Sequence, residues 1–221
     1  TEMNKKSKKN FMIAGGLLFV FILFTVAVMK VDVAAIGPKD SLVGLSKIND
    51  FMFKKLGTHP IWDMITEVLL VTAFLIVLLF GVIGIKQLIE RKSLWKVEHG
   101  ILLLAVFYVF LAAFYELFEV VVVNYRPILE DGELAASFPS SHTMLICSIV
   151  GSAMVLFDRM LTNKVVRNVV EIIGGIILIL AVMGRLLAGV HWFTDILGGV
   201  LLSAALVMFY DASVVYMDEI S

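Results

Sequence analysis

The chain has 221 residues, of which 60% are hydrophobic and only 17% charged. That balance excludes a soluble domain of this size. A formal net charge of −1 says little by itself, because in a membrane protein the distribution of charge matters more than its sum. No nucleic-acid partner is expected. The single cysteine, Cys147, lies inside an apolar run. It excludes a disulfide framework and reads as packing.

Thr1 and Glu2 precede Met3, so a cloning remnant is the expectation for them. Residues 1–10 read as a basic cytoplasmic tail, carrying Lys5, Lys6, Lys8 and Lys9. The apolar run behind it is longer than a signal-peptide core and lacks a clear cleavage site, which favours a retained first span. Six apolar runs follow in all, at about 11–29, 61–85, 98–124, 141–157, 167–187 and 191–210. Each is long enough, or nearly so, to cross a hydrocarbon core of about 30 Å at about 1.5 Å per residue. The last two are separated by so few residues that a tight helical hairpin is expected. In the 30–60 segment, Leu42, Leu45, Ile48, Phe51, Met52 and Leu56 recur at helical spacing with Lys47, Asp50, Lys54 and Lys55 between them. This predicts an amphipathic helix on the outer interface, although a solvated helix packed on the bundle fits the same pattern.

The fold class that follows is all-α: a polytopic membrane protein with six transmembrane helices in one bundle, and an interfacial amphipathic helix between the first and second spans. Residues 1–221 form a single domain in this reading. With the N-terminus inside, eleven lysines and arginines fall on the inner side and seven on the outer. The positive-inside rule then puts both termini in the cytoplasm.

Three polar clusters lie at the outer ends of spans three to six. The first is Glu116, Glu119 and Asn124-Tyr125-Arg126-Pro127; the second is Phe138-Pro139-Ser140-Ser141-His142-Thr143; the third runs from Gly184-Arg185 through His191 to Asp195. Singly, each has an ordinary explanation: an interfacial anchor, a helix start, a polar hairpin tip. Ser140 or Ser141 suits a helix N-cap, and a helix N-terminus favours an anion. If the chain is helical from His191 onward, His191 and Asp195 share a face one turn apart. Together, two histidines, two arginines, an aspartate and a helix N-terminus are the inventory for phosphoryl transfer through a phosphohistidine.

The motifs resemble those of the type 2 phosphatidic acid phosphatase superfamily of integral-membrane lipid phosphatases. That family carries Lys-x6-Arg-Pro, then Pro-Ser-Gly-His, then Ser-Arg-x5-His-x3-Asp. Here the second reads Pro139-Ser140-Ser141-His142, the third Gly184-Arg185 through His191 to Asp195, and the first keeps Arg126-Pro127. The resemblance implies His191 as nucleophile, Asp195 as its orienter and His142 as proton donor and later base. It implies Arg126, Arg185, Ser140 and Ser141 as the phosphate-binding set, with no metal and no cofactor. Three positions depart from the pattern: Ser141 for glycine, Gly184 for serine, and Glu119 for the lysine. Glu119 inverts a charge. About two helical turns before Arg126, it is expected on the same face, pairing with Arg126 or Arg185, protonated, contacting a head group, or merely facing a polar gap. Glu116 reads as a buried structural acid or a partner to another span.

The implied activity is hydrolysis of a lipid phosphate or pyrophosphate at the outer face of the cell membrane. A polyprenyl pyrophosphate such as undecaprenyl pyrophosphate is favoured, with phosphatidylglycerol phosphate or phosphatidic acid next. A lipid phosphotransferase using the same phosphohistidine is the first alternative. A non-catalytic lipid-binding or transport protein is the second. The bilayer and a membrane lipid are the expected partners; the oligomeric state is not legible.

Overall fold

The computed structural model describes residues 5–220; Thr1 and Glu2 lie outside them. The described residues contain seven α-helices: α1 (Lys5–Lys30), α2 (Ser46–Leu56), α3 (Pro60–Arg91), α4 (His99–Val120), α5 (Ser141–Met160), α6 (Lys164–Ala188) and α7 (Phe193–Ile220). All but α2 are long and apolar enough to cross a membrane. Phe19, Leu78, Val109 and Ile179 stand exposed on their outer faces, as a lipid-facing surface requires. From Lys5 onward the basic tail is already part of α1.

α7 is the centre of the bundle, with α1 and α5 packed along it. The expected hairpin of the last two spans does not form as a packed pair. α6 lies mainly on α5 and α3, and α5 takes the place between α6 and α7. Small buried residues on α5, Ser148, Ser152 and Ala153, let it occupy this enclosed position. At one end of the bundle, Arg159 pairs with Asp211 at 2.8 Å and Asp218 at 2.5 Å, His99 with Asp218 at 2.7 Å, and Asn10 with Asp211 at 2.7 Å. This network ties α1, α4, α5 and α7 together away from the site.

At the other end the chain between α1 and α2 forms a two-stranded antiparallel ribbon, β1 (Ala34–Ala35) with β2 (Leu42–Val43). The interfacial helix is therefore shorter than the apolar spacing predicts: Leu42 belongs to β2, and Leu45 turns the chain in a left-handed conformation before α2. α2 buries Ser46 and Asn49 and leaves Ile48 and Phe51 exposed. Asn49 accepts from the Thr194 backbone N–H at 3.1 Å and donates to the Thr194 hydroxyl at 2.9 Å. The helix is thereby fastened over the start of α7, with an apolar strip facing outward.

Candidate active site

The site lies where α3, α5, α6 and α7 present their ends, with the 121–140 loop folded in among them. α4 stops at Val120, before the span predicted to run to residue 124. The loop beyond it doubles back, with Arg126 N–H donating to the Ala135 carbonyl at 3.0 Å and Ser137 N–H to the Asn124 carbonyl at 2.9 Å. Phe138 then anchors the returning strand. Its ring is buried and stacks on Phe21 at 6.2 Å, edge-on to Phe118 at 6.2 Å. Gly198 makes room for it: a Cβ there would stand 2.5 Å from the Phe138 ring.

Ser140 is the N-cap of α5, its hydroxyl accepting from the Thr143 N–H at 3.4 Å. Its own N–H donates to the Asp195 carbonyl at 2.8 Å. Ser140 is therefore committed to joining α5 to α7. Its N–H is therefore not free for an anion, whereas the next two backbone N–H groups, of Ser141 and His142, open the helix without an intrahelical acceptor.

α6 ends at Gly189, whose φ of +70° is the left-handed conformation that lets the chain reverse. His191 lies in the turn, before α7 begins at Phe193, so the expected helical face of His191 and Asp195 does not exist. Asp195 instead reaches back to the Trp192 N–H at 2.9 Å, as the third residue of a capping box does. Its carboxylate stands 3.9 Å from His191 Nδ1. Ser137, absent from the sequence reading, bridges that gap. The Ser137 hydroxyl donates to Asp195 through a short hydrogen bond and accepts from His191 Nδ1 at 3.1 Å. The Ser137 carbonyl, also 3.1 Å from Nδ1, favours the same tautomer. Asn124 adds a donor to Asp195 at 3.3 Å.

With Nδ1 carrying the hydrogen, Nε2 of His191 holds its lone pair. That atom is buried and without a hydrogen-bond partner among the described residues, as are Arg185 Nε and His142 Nδ1. Burial first, then the charges of Arg185 and Arg126 and the nearby His142, push the His191 imidazole well below its ordinary pKa. It is thus a neutral base beside two guanidinium groups.

Both guanidinium groups are held by carboxylates. Arg126 pairs with Glu130 at 3.2 Å, not with Glu119. Arg185, fully buried, pairs with Asp63 of α3 at 2.5 Å and takes the Thr66 hydroxyl at 3.1 Å. Thr66 also leaves no space for a side chain at Gly184, where a Cβ would stand 2.8 Å from its methyl group. Glu67, one turn beyond Asp63, meets His142 Nε2 at 2.8 Å. Asp63 and Glu67 were missed in the sequence, although two carboxylates one turn apart at the end of an apolar run were a signal. Glu119 lines a narrow cleft with Tyr115, Ser137, Ser141 and His191. Neither Glu119 nor Glu116 has an ion pair among the described residues, and Glu116 is exposed rather than buried. Trp192 is buried and donates to the Tyr125 carbonyl at 2.7 Å.

Against known families, the model of the PAP2 superfamily matches residues 99–216, more than half of the chain. The chain belongs to the PAP2 superfamily. The match takes in α4 to α7 and all three motif clusters, while α1 to α3 lie before it. Among solved structures, the PAP2-type phosphatidylglycerolphosphate phosphatase from Bacillus subtilis is similar, with a TM-score of 0.58 and 21% identity over 93% of this chain and 96% of that one. That likeness extends the PAP2 fold to the whole bundle, α1 to α3 included. None of the curated proteins matches the chain by sequence. The chain is therefore a multi-pass membrane phosphatase of the PAP2 superfamily.

Proposed function

We propose that the protein hydrolyses a lipid phosphate or pyrophosphate through a phosphohistidine on His191. One observation carries this reading: the buried, unpartnered Nε2 of His191, whose tautomer is held by Ser137 and Asp195 beside Arg126 and Arg185. Nε2 attacks phosphorus as the bond to the lipid oxygen breaks, and His142 gives that oxygen its proton. Water then attacks the phosphohistidine, the P–N bond breaks, and His142 takes the proton from water. Arg126, Arg185 and the N–H groups of Ser141 and His142 neutralise the equatorial oxygens as charge develops. To bind, the phosphate displaces Asp63 and Glu130 from the two guanidinium groups.

A lipid substrate is supported by an apolar groove of about 440 Å³ between α3, α4 and α5, lined by Leu70, Phe74, Leu111, Leu145 and Ile149 and ending at Ser141 and His142. A chain lying there brings its head group to the site from the side of the bundle. The named activity of the Bacillus subtilis relative in fold supports phosphatidylglycerol phosphate as a candidate substrate beside polyprenyl pyrophosphate. The lysine and arginine distribution supports a site on the outer face with the termini in the cytoplasm.

Purified protein in detergent should release phosphate from a panel of lipid monophosphates and pyrophosphates, and His191→Ala should lose at least about a thousandfold in kcat. An alanine variant as fast as the parent would overturn the mechanism.

A further inference from the structure

We propose that Glu67 of α3 is the positioning residue of the acid–base histidine, holding His142 through Nε2 so that Nδ1 is the nitrogen that gives and takes the proton. The inference rests on the phosphatase reading above and assigns a role to a helix that the family motifs do not reach. Its basis is the pairing of two observations at one ring. Glu67 Oε1 lies 2.8 Å from His142 Nε2, and His142 Nδ1 is buried with no hydrogen-bond partner among the described residues.

The local sequence explains the placement. Pro60 opens α3, and Asp63, Thr66 and Glu67 follow within its first two turns on one side of the helix. Asp63 and Thr66 hold Arg185 of α6, while Glu67 holds His142 of α5. One face of α3 thus sets two groups from two other helices. The Glu67 side chain is 55% exposed and that of His142 13%, so the carboxylate is also where the buried ring meets water.

Two guanidinium groups also face His142. Arg185 approaches from α6 and Arg126 from the 121–140 loop, while Tyr115 of α4 lines the groove that ends at the ring. Among the described residues, Glu67 is the carboxylate within hydrogen-bond distance of the ring. With Nε2–H donating to the carboxylate, the imidazolium keeps a second proton on Nδ1. That proton passes to the lipid oxygen as the P–O bond breaks. The lone pair left on Nδ1 then accepts a proton from the water that cleaves the P–N bond, and the ring returns to its starting state. A carboxylate behind a histidine acts in this way by fixing the tautomer and raising the basicity of the opposite nitrogen.

The test is ¹⁵N-histidine NMR on the parent and Glu67→Gln, with His142→Gln to assign the signal among the four histidines. Neutral His142 should be the Nε2–H tautomer. Its titration midpoint should fall by about one pH unit in Glu67→Gln, which keeps a hydrogen bond but loses the charge. The alkaline limb of kcat should move down with it. At about pH 8, kcat should drop roughly 10–100-fold with KM within about threefold, and Glu67→Asp should recover part of the loss. An Nδ1–H tautomer, or an unmoved midpoint, would overturn the proposal even if activity fell, since a merely structural contact would cost folding without moving the titration. The NMR readout needs no turnover. If the parent hydrolysed no lipid phosphate, the phosphatase reading would fail while tautomer and midpoint still decided the role of Glu67.

Discussion

Ser137→Ala isolates the link between His191 and the Asp195 carboxylate. The substitution deletes the hydroxyl that donates to Asp195 and accepts from His191 Nδ1 at 3.1 Å. It leaves the Ser137 carbonyl 3.1 Å from Nδ1, and Asp195 keeps the Trp192 N–H at 2.9 Å and Asn124 at 3.3 Å. The imidazole therefore retains one acceptor, but no path to the carboxylate 3.9 Å away. A hydrogen bond to a charged group contributes about 1.5–3 kcal/mol. If that bond is used as the imidazolium forms, the loss amounts to roughly 10–100-fold in kcat, at about 1.4 kcal/mol per tenfold. KM should not change, because Ser137 does not bind the substrate phosphate in this arrangement.

Single-turnover hydrolysis of a lipid phosphate by Ser137→Ala, Asp195→Asn and the double variant is the measurement. Because the three groups act as a chain, the double variant should be little slower than Asp195→Asn alone. Parental kcat in Ser137→Ala would show that the carbonyl or a direct contact with Asp195 orients the ring. Additive losses would show that Ser137 and Asp195 act separately. Either result would refute the relay.

Three further outcomes follow from the geometry. Glu119→Lys should redistribute activity across a panel of lipid head groups, since Glu119 lines the cleft to His191 without an ion pair among the described residues; equal loss on every substrate would make it structural. Gly198→Ala puts a methyl group 2.5 Å from the buried Phe138 ring and should cost about 1–3 kcal/mol, read as a lower Tm together with lower kcat as the Phe138–Ser140 segment shifts. His191 is kept neutral by burial and by two arginines, whereas in the unfolded chain it takes a proton below about pH 6.5. The unfolded state then binds more protons, so His191 makes stability fall as pH drops below that value. His191→Gln should flatten the decline of Tm between about pH 7 and pH 5; an unchanged slope would refute the assignment of a neutral ring.

Much of this was legible in the sequence. The six spans follow from apolar runs bounded by charge, and Arg126, His142, Arg185, His191 and Asp195 were singled out by residue type and spacing. What was hidden has physical reasons. Val120 to Val123 are as apolar as the helix before them, so nothing in hydropathy marks the end of α4. The chain leaves the helix to pair with residues 135–137, and that pairing removes Glu119 from Arg126. Ser137 carries no signal at all, because a serine before Phe-Pro is an ordinary loop residue; its role exists only once Phe138 is seated beneath Gly198. Asp63 and Glu67 were visible as costly charges at the head of an apolar run, but their partners lie more than seventy residues away in the chain. Sequence spacing reports partners on one helix, whereas this site is assembled between helices.

The same logic separates the two histidines. His191 is enclosed, and its partner carboxylate is reached only through the neutral hydroxyl of Ser137, so nothing negative touches the ring directly within hydrogen-bond distance. His142 touches a half-exposed carboxylate directly. A ring shielded from direct ion pairing beside two arginines favours the neutral form, which is what a nucleophile needs. A ring bonded to a carboxylate at the water boundary exchanges protons, which is what an acid–base catalyst needs. Different surroundings set two like groups apart. Here α3 makes the division, since Glu67 meets His142 directly whereas Asp195 reaches His191 only through Ser137.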